Sequence, residues 1–205
     1  MNLHNGNAGD PAIILSDGAI SYGELDAHVA MCIANFREAG IRAGHRVGLY
    51  QPLSSRYVVS LLALIEMGAA ACPISTRLPE SGMQDALSKI DADAVFYADR
   101  CAGMGGSAIS PILFDAMRTD VIDEDGDIET LEKDRWATIV FTSGSSGTPK
   151  AAVHSLTNHV ESALASNENI LLAHGDRWML SLPWYHVGGL GIVFRCVQGG
   201  EGRWR

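Results

Sequence analysis

Helical and extended patterns alternate through the first half of this 205-residue chain. Ser21 and Glu24 have the spacing of a capping box, and apolar residues then recur at helical intervals as far as Phe36. Further segments follow in turn, with strands expected at 46–50, 69–74 and 94–97 and helices at 54–68 and 79–90. This alternation predicts an α/β fold in which largely parallel sheets are flanked by helices.

An acidic stretch divides the chain. Residues 119–135 are dense in carboxylates and are interpreted as a solvated linker, with a functional acidic patch as the alternative. The linker separates a first α/β subdomain at 1–118 from the start of a second at 136–205. In the second part we expect strands at 136–141, 151–153 and 177–182, and a helix capped near Thr157 that ends by His174.

Charge and composition exclude several classes of protein. The net charge is −9, whereas a protein that binds nucleic acid through its phosphates needs a basic surface. The most apolar stretch, 57–74, is interrupted by Ser60, Glu66, Gly68 and Pro73, so no membrane span is expected. The four cysteines are scattered, and the first residues have no secretory signal. We therefore expect a cytoplasmic protein whose partners do not include nucleic acid.

The segment Thr142-Ser-Gly-Ser-Ser-Gly-Thr-Pro-Lys150 lies between two apolar strand segments. Gly144 and Gly147 allow the backbone to curve around a ligand and to turn its N–H groups inward. Lys150 supplies one full positive charge, and neutral donors come from the hydroxyls of Thr142, Ser143, Ser145, Ser146 and Thr148. This combination suits a polyphosphate. The alternative is a Ser/Gly linker, which the strongly apolar neighbours disfavour.

Spacing excludes two other glycine-rich motifs. A Walker P-loop needs Gly-Lys followed by Ser or Thr, whereas Pro149 precedes Lys150 here and Ala151 follows it. A nucleophile elbow needs Gly-x-Ser-x-Gly, and the segment from Gly144 to Gly147 is one residue short.

The loop from Thr142 to Lys150 resembles the phosphate loop of the adenylate-forming superfamily, although Ala151 stands where that family usually has glycine. Ser21-Tyr-Gly-Glu-Leu25 resembles an earlier family signature, and 61–74 resembles the helix that leads into a Gly-Ala-x-x-x-Pro strand. The resemblance extends, in order and rough spacing, to about Gly199.

A second segment indicates which branch of this superfamily the chain resembles. Pro183-Trp-Tyr-His186-Val-Gly-Gly-Leu190 resembles the Pro-x-x-His-x-x-Gly segment of acyl- and aryl-CoA ligases, and within that branch the o-succinylbenzoate–CoA ligase family. The resemblance implies that His186 lines the acid pocket and that Gly188 and Gly189 leave room for the substrate. The alternative is a turn with a packed aromatic pair and a core histidine.

The resemblance implies that ATP activates a small carboxylic acid as an acyl-adenylate, which is then transferred to CoA. Mg²⁺ is the implied metal, and ATP and CoA are the implied cosubstrates. Lys150 and His186 are the implied catalytic residues, and Thr142 is implied to lie near the metal or the α-phosphate. The remaining implied nucleotide-binding residues are Ser143, Gly144, Ser145, Ser146, Gly147 and Thr148, of which Ser145, Ser146 and Thr148 join Lys150 on the β- and γ-phosphates.

Members of this superfamily are more than twice as long as this chain. The resemblance therefore implies that the adenine pocket, an acidic metal ligand and a mobile C-terminal domain lie beyond it. We expect the chain alone to be inactive, its tail at 199–205 to mark a truncation or frameshift, and its uncovered surface to self-associate. The alternatives are a non-catalytic binding fragment and an amino-acid-activating adenylation module.

Overall fold

The computed structural model describes residues 3–4, 6–16, 18–97, 100–103, 134–142 and 149–198, with 100–103 described by their backbone. The elements in chain order are β1 (Pro11–Leu15), β2 (Gly18–Ser21), α1 (Tyr22–Glu38), β3 (Arg46–Tyr50), α2 (Ser55–Glu66), β4 (Ala70–Pro73), α3 (Glu80–Lys89), β5 (Ala94–Tyr97), β6 (Arg100–Gly103), β7 (Trp136–Thr142), β8 (Lys150–Ser155), α4 (Leu156–Asn169) and α5 (Val187–Gln198).

A six-stranded sheet in the order β6-β5-β3-β4-β7-β8 forms the centre, and β1 and β2 form a separate antiparallel pair. Strands β5, β3, β4 and β7 run parallel to one another, whereas β6 and β8 pair antiparallel at the two edges. Helices α2 and α3 supply the crossovers that parallel neighbours require. The sheet confirms the predicted α/β fold, and it places the carboxyl ends of four strands along one edge.

Two hydrophobic cores cover the two faces of this sheet. The larger core contains buried residues of α1, α2, α4 and α5, and the smaller core contains those of α3. Strand β4 contributes to both, since Ala71 faces the larger core while Ala70 and Cys72 face the smaller one. The strand is therefore buried on both faces, as its uninterrupted apolar sequence predicted.

Local signals account for the helix boundaries in the first half. Ser21 accepts a hydrogen bond from the Glu24 backbone N–H, and the Glu24 carboxylate accepts one from the Ser21 backbone N–H, so the capping box that begins α1 is formed. After α1, Gly40 has a φ of 92°, which ends the helix in a conformation that glycine adopts readily. Ser54 caps α2 through the N–H of Tyr57.

Two sequence-based boundaries are wrong. Helix α4 is capped by Ser155 instead of Thr157, because Ser155 and Asn158 form a second reciprocal capping box, and the helix ends at Asn169. Residues 177–182 form no strand, because none of the described strands pairs with them. Side-chain contacts hold the segment to α5 instead, with the Arg195 guanidinium 4.2 Å from the centre of the Trp178 ring.

Strands on both sides of the acidic stretch belong to one sheet. The larger core also mixes both parts, since it contains Ala137 and Leu156 together with Val47 and Leu61. Residues 104–133 lie outside the described part of the chain, so the division into 1–118, 119–135 and 136–205 stays a prediction. Among the described helices, none has the length and hydropathy of a membrane span.

Candidate functional site

The hairpin of β7 and β8 carries the candidate phosphate loop. Thr142 and Lys150 are opposite each other in the antiparallel ladder, and both side chains are exposed. The Thr142 hydroxyl donates a hydrogen bond to the Lys150 carbonyl at 3.4 Å. The intervening candidates, namely Ser143, Gly144, Ser145, Ser146, Gly147 and Thr148, lie outside the described residues, and their roles stay predictions.

The position of this hairpin follows from its sequence. Ile139 and Val140 are buried on opposite faces of the sheet, Ile139 in the smaller core and Val140 in the larger, so β7 is fixed among the parallel strands. The loop that leaves β7 therefore begins at the edge where the parallel strands end. In open α/β sheets, ligands bind outside this carboxyl edge.

A second ammonium group lies beside the loop. Lys89, at the end of α3, donates a hydrogen bond to the carbonyl of Pro149, the residue before Lys150. The two partners are 60 residues apart in sequence, and no local motif connects them. Sequence reasoning therefore missed Lys89, and only the tertiary structure brings it to the loop.

The segment that carries His186 reaches the same edge of the sheet. The Trp184 indole N–H donates to the carbonyl of Gln51, which directly follows β3, at 3.1 Å. The Tyr57 hydroxyl, from α2, donates to the Trp184 carbonyl at 3.0 Å. The structure thus brings Thr142, where the candidate loop begins, and the histidine segment to the same edge of the sheet, at the ends of β7 and β3, which β4 separates.

His186 is an exposed residue, unlike a core histidine. Its backbone N–H donates to the Pro183 carbonyl, and its own carbonyl accepts from the Leu190 N–H in the first turn of α5. The imidazole ring packs against Tyr185, with 4.8 Å between the ring centroids. The backbone is therefore fixed while the ring is accessible to a ligand.

The two glycines after His186 have close neighbours. A Cβ atom on Gly189 would lie 2.4 Å from the Pro183 carbonyl oxygen, and one on Gly188 would lie 3.1 Å from the Leu182 Cδ1. At Gly189 the space that a side chain would need is thus occupied by the backbone of this chain. The absence of a side chain there allows α5 to pack closely against Pro183 and Trp184.

Behind the hairpin lies a buried polar contact that sequence reasoning did not find. Thr138 of β7 and His159 of α4 are hydrogen-bonded at 2.7 Å, and the His159 ring stacks on Phe194 of α5 at 4.1 Å. Burial, followed by the neighbouring His154, lowers the pKa of His159 to about 4. The neutral imidazole therefore joins the hairpin to both helices that cover it.

A separate cleft of about 840 Å³ lies between residues 6–14 and 172–179. Asp10 and His174, which both line it, are hydrogen-bonded, with 2.9 Å between Oδ2 and Nε2. Among the predicted site residues that the structure describes, none lines this cleft.

The described residues contain no group of three or more His, Cys, Asp or Glu side chains that could hold a metal ion. The oxygen donor predicted for Mg²⁺ is the single hydroxyl of Thr142, which is exposed. Mg²⁺ binds through few protein groups when it is carried by nucleotide phosphates and water. One hydroxyl fits such a nucleotide-borne ion and would not by itself retain a resident metal.

An α/β sheet whose strand β7 leads into a Gly/Ser-rich sequence is typical of nucleotide-binding proteins. The family model described as AMP-binding enzyme matches residues 4–201, and the chain belongs to this family.

Among curated proteins, the chain is similar to the 2-succinylbenzoate–CoA ligase of Escherichia coli strain K12, with 30% identity over 189 residues, covering 92% of this chain and 40% of that protein. The chain thus spans about 40% of the length of the curated relatives it matches.

Solved structures share the fold. The o-succinylbenzoate CoA synthetase of Bacillus subtilis, in complex with its acyl-adenylate intermediate, superposes with a TM-score of 0.78 at 23% identity, covering 92% of this chain and 50% of that one. The same enzyme in complex with ATP and magnesium ion gives a TM-score of 0.72 at 21% identity, with 92% and 51% covered.

Proposed function

We propose that the chain supplies the phosphate-binding and acid-binding part of a carboxylic acid–CoA ligase of menaquinone biosynthesis, with o-succinylbenzoate as the acid. The observation that carries the proposal is the placement of Thr142, Lys150 and the exposed His186 at one edge of the sheet. The names of the curated relatives support this choice of acid. Because the chain spans 40% of those relatives, the complete reaction needs the remaining part of such an enzyme.

ATP would bind with its phosphates at the mouth of the hairpin. The Lys150 ammonium would contact the β- and γ-phosphates, together with the hydroxyls of Ser145, Ser146 and Thr148. Backbone N–H groups of the glycine-containing loop would add neutral donors. The Bacillus subtilis relative binds ATP and magnesium ion, which supports ATP as the nucleotide.

Mg²⁺, when bound with ATP, would offset the negative charge of the phosphates, and Thr142 is the residue of this chain that would lie near it. The chain itself has to bring two anions together, the acid and the nucleotide. Lys150 reduces their repulsion through its positive charge, and the loop hydroxyls do so through hydrogen bonds.

The proposed reaction has two steps. A carboxylate oxygen of the acid attacks the α-phosphorus of ATP, and a C(O)–O–P bond forms. The bond between the α-phosphorus and the oxygen that bridges to the β-phosphorus breaks, and pyrophosphate leaves. The CoA thiol then loses its proton and attacks the acyl carbon, so that a C–S bond forms, the C–O bond to the phosphate breaks, and AMP leaves. His186 would line the acid side of the pocket in the first step.

CoA as cosubstrate, a cytoplasmic location and the absence of nucleic acid among the partners belong to this proposal. An amino-acid-activating module is the competing enzyme, and a non-catalytic binding fragment is the competing non-enzyme. Binding measurements separate the two candidate enzymes, because they predict different acids at the site around His186.

The test is a calorimetric titration of the 205-residue chain with o-succinylbenzoate and, in parallel, with phenylalanine, in the presence of Mg²⁺ and α,β-methylene-ATP. We expect saturable binding of o-succinylbenzoate that is about tenfold weaker in His186→Ala, because a ligand contact is lost. His28→Ala, which replaces a partly exposed histidine on α1, is the matched control and should bind normally. Preference for phenylalanine would favour the amino-acid-activating module, and a folded chain that binds neither acid would contradict the proposal.

A further inference from the structure

Trp184 is held at two of its atoms by the first part of the chain. Its carbonyl accepts a hydrogen bond from the Tyr57 hydroxyl at 3.0 Å, across 127 residues of sequence. Its indole N–H donates to the Gln51 carbonyl at 3.1 Å, across 133 residues. Because one bond fixes the backbone and the other fixes the ring, neither can move without breaking a hydrogen bond.

The partners of Trp184 are themselves buried. Tyr57 is fully buried in the larger core, and Gln51 is 2% exposed at the end of β3. Burial raises the pKa of Tyr57 well above its ordinary value, so the phenol stays protonated and donates at any pH at which the protein is folded. The Tyr57 and Trp184 rings also meet edge to face, with 6.4 Å between their centroids.

The constraint on Trp184 extends to His186. The His186 N–H donates to the Pro183 carbonyl at 3.1 Å, and that same carbonyl lies 2.4 Å from where a Cβ atom of Gly189 would be. The Trp184 ring packs against Tyr185 at 5.3 Å, and Tyr185 packs against the His186 ring at 4.8 Å. The position of the imidazole is therefore set by a chain of contacts that begins at Tyr57.

On the basis of the acid-binding role proposed above, we propose that Tyr57 and Trp184 are positioning residues of the acid site. They hold the His186 imidazole at the carboxyl edge of the sheet, and they touch neither the acid nor the nucleotide. Affinity for the acid should then depend on the Tyr57 hydroxyl, whereas affinity for the nucleotide should not, because Thr142 and Lys150 are placed by the β7–β8 ladder.

Tyr57→Phe tests this directly, since it removes one hydroxyl and keeps the ring. Tyr50→Phe is the matched control, because the Tyr50 hydroxyl also donates to a backbone carbonyl, that of Leu78 at 2.6 Å, outside the histidine segment. The probes are o-succinylbenzoate and Mg²⁺–α,β-methylene-ATP, titrated separately into each folded chain. The ¹H–¹³C signal of the His186 Hε1 atom, assigned with a His186→Asn variant, reports the position of the ring.

We expect Tyr57→Phe to weaken o-succinylbenzoate binding about fivefold to tenfold, as the loss of one hydrogen bond would, and to shift the His186 signal. The affinity for the nucleotide should stay within about twofold of that of the original chain. Tyr50→Phe should change the affinity for neither ligand. If both affinities fall in step with thermal stability, Tyr57 has a purely structural role and the proposal is overturned. An unchanged His186 signal in Tyr57→Phe would overturn it as well.

Failure of the proposed function gives a different result. If the original chain binds no o-succinylbenzoate, the acid-binding proposal fails, and the positioning role is then decided by the His186 signal in Tyr57→Phe against Tyr50→Phe. If Tyr57→Phe does not fold, Trp184→Phe is tested in its place. It removes the indole N–H that donates to the Gln51 carbonyl. An unmoved His186 signal in that variant would contradict the proposal in the same way.

Discussion

Lys150 and His159 lie on neighbouring elements and differ in their exposure to solvent. Lys150 begins β8 and is exposed, so its ammonium is available to an anionic ligand. His159 lies on α4, is 5% exposed, and is hydrogen-bonded to Thr138. A neutral imidazole suits such a buried position, because the charged form would lose its hydration without an ion partner.

The lowered pKa of His159 predicts an acid-sensitive fold. The folded-state pKa is about 4 against an ordinary value of 6.5, so the unfolded chain binds the proton more readily between these values. The contribution of His159 to stability is therefore complete above pH 6.5 and is lost as pH falls toward 4. We expect a loss of about 2 kcal/mol between pH 7 and pH 5, measured by urea unfolding.

His159→Gln should reduce this pH dependence, since glutamine does not titrate and can still bond to Thr138. His28→Gln, at a partly exposed position on α1, should leave the pH dependence unchanged. If stability depends on pH equally in His159→Gln and in the original chain, His159 is not the group responsible.

At the scale of elements, the hairpin, α4 and α5 are joined by caps and close packing. β8 passes directly into α4 through the reciprocal bonds of Ser155 and Asn158. The histidine segment passes directly into α5, and Gly189 lets the helix approach Pro183. The α5 junction directly follows His186, whereas β8 separates the α4 junction from Lys150.

Ser155→Ala should destabilise the protein by about 1 kcal/mol, because the Asn158 N–H in the first turn of α4 loses the hydroxyl that caps it. The measurement is the free energy of unfolding in urea. Ser166→Ala, inside the same helix, is the matched control and should be neutral or slightly stabilising, since alanine has the higher helix propensity. Similar effects of the two substitutions would argue that the capping box is not formed.

Gly189→Ala should destabilise the protein by roughly 2–3 kcal/mol, because the new Cβ meets backbone atoms that have no rotamer to change. Gly191→Ala lies two residues further along α5 and meets nothing within 4 Å. That control should be neutral or stabilising by up to about 1 kcal/mol. The measurement is the thermal unfolding of the two variants beside the original chain. A neutral Gly189→Ala would contradict the packing of α5 against the histidine segment.

At the scale of the whole molecule, the sequence predicted those elements that carry their own signals. The strands at 46–50 and 94–97 agree with the structure to the residue, since each is a short apolar run bounded by polar residues. The segment 177–182 has the same kind of sequence and forms no strand, because a strand also needs a neighbour with which to pair. Helix α5 was missed, since its Gly-rich beginning has low helix propensity.

The candidate site was predictable to a similar extent. The loop and His186 are local motifs, and their order in sequence was enough to identify them. Lys89 and Tyr57 act on those motifs from 60 and 127 residues away, so their contacts depend on tertiary packing that no spacing rule contains. The expected self-association also stays a prediction, although exposed Leu171 and Met179, at 81% and 78%, offer apolar surface for it.

The hairpin of β7 and β8 is proposed to bind the phosphates of a nucleotide. The most direct measurement is a calorimetric titration of Mg²⁺–ATP into the 205-residue chain and into Lys150→Ala, with Arg37→Ala as a control that removes an exposed cation at the far end of α1. We expect saturable binding by the original chain and by Arg37→Ala, and binding at least about tenfold weaker in Lys150→Ala. Equal affinity in all three, or no binding by the folded original chain, would contradict the claim.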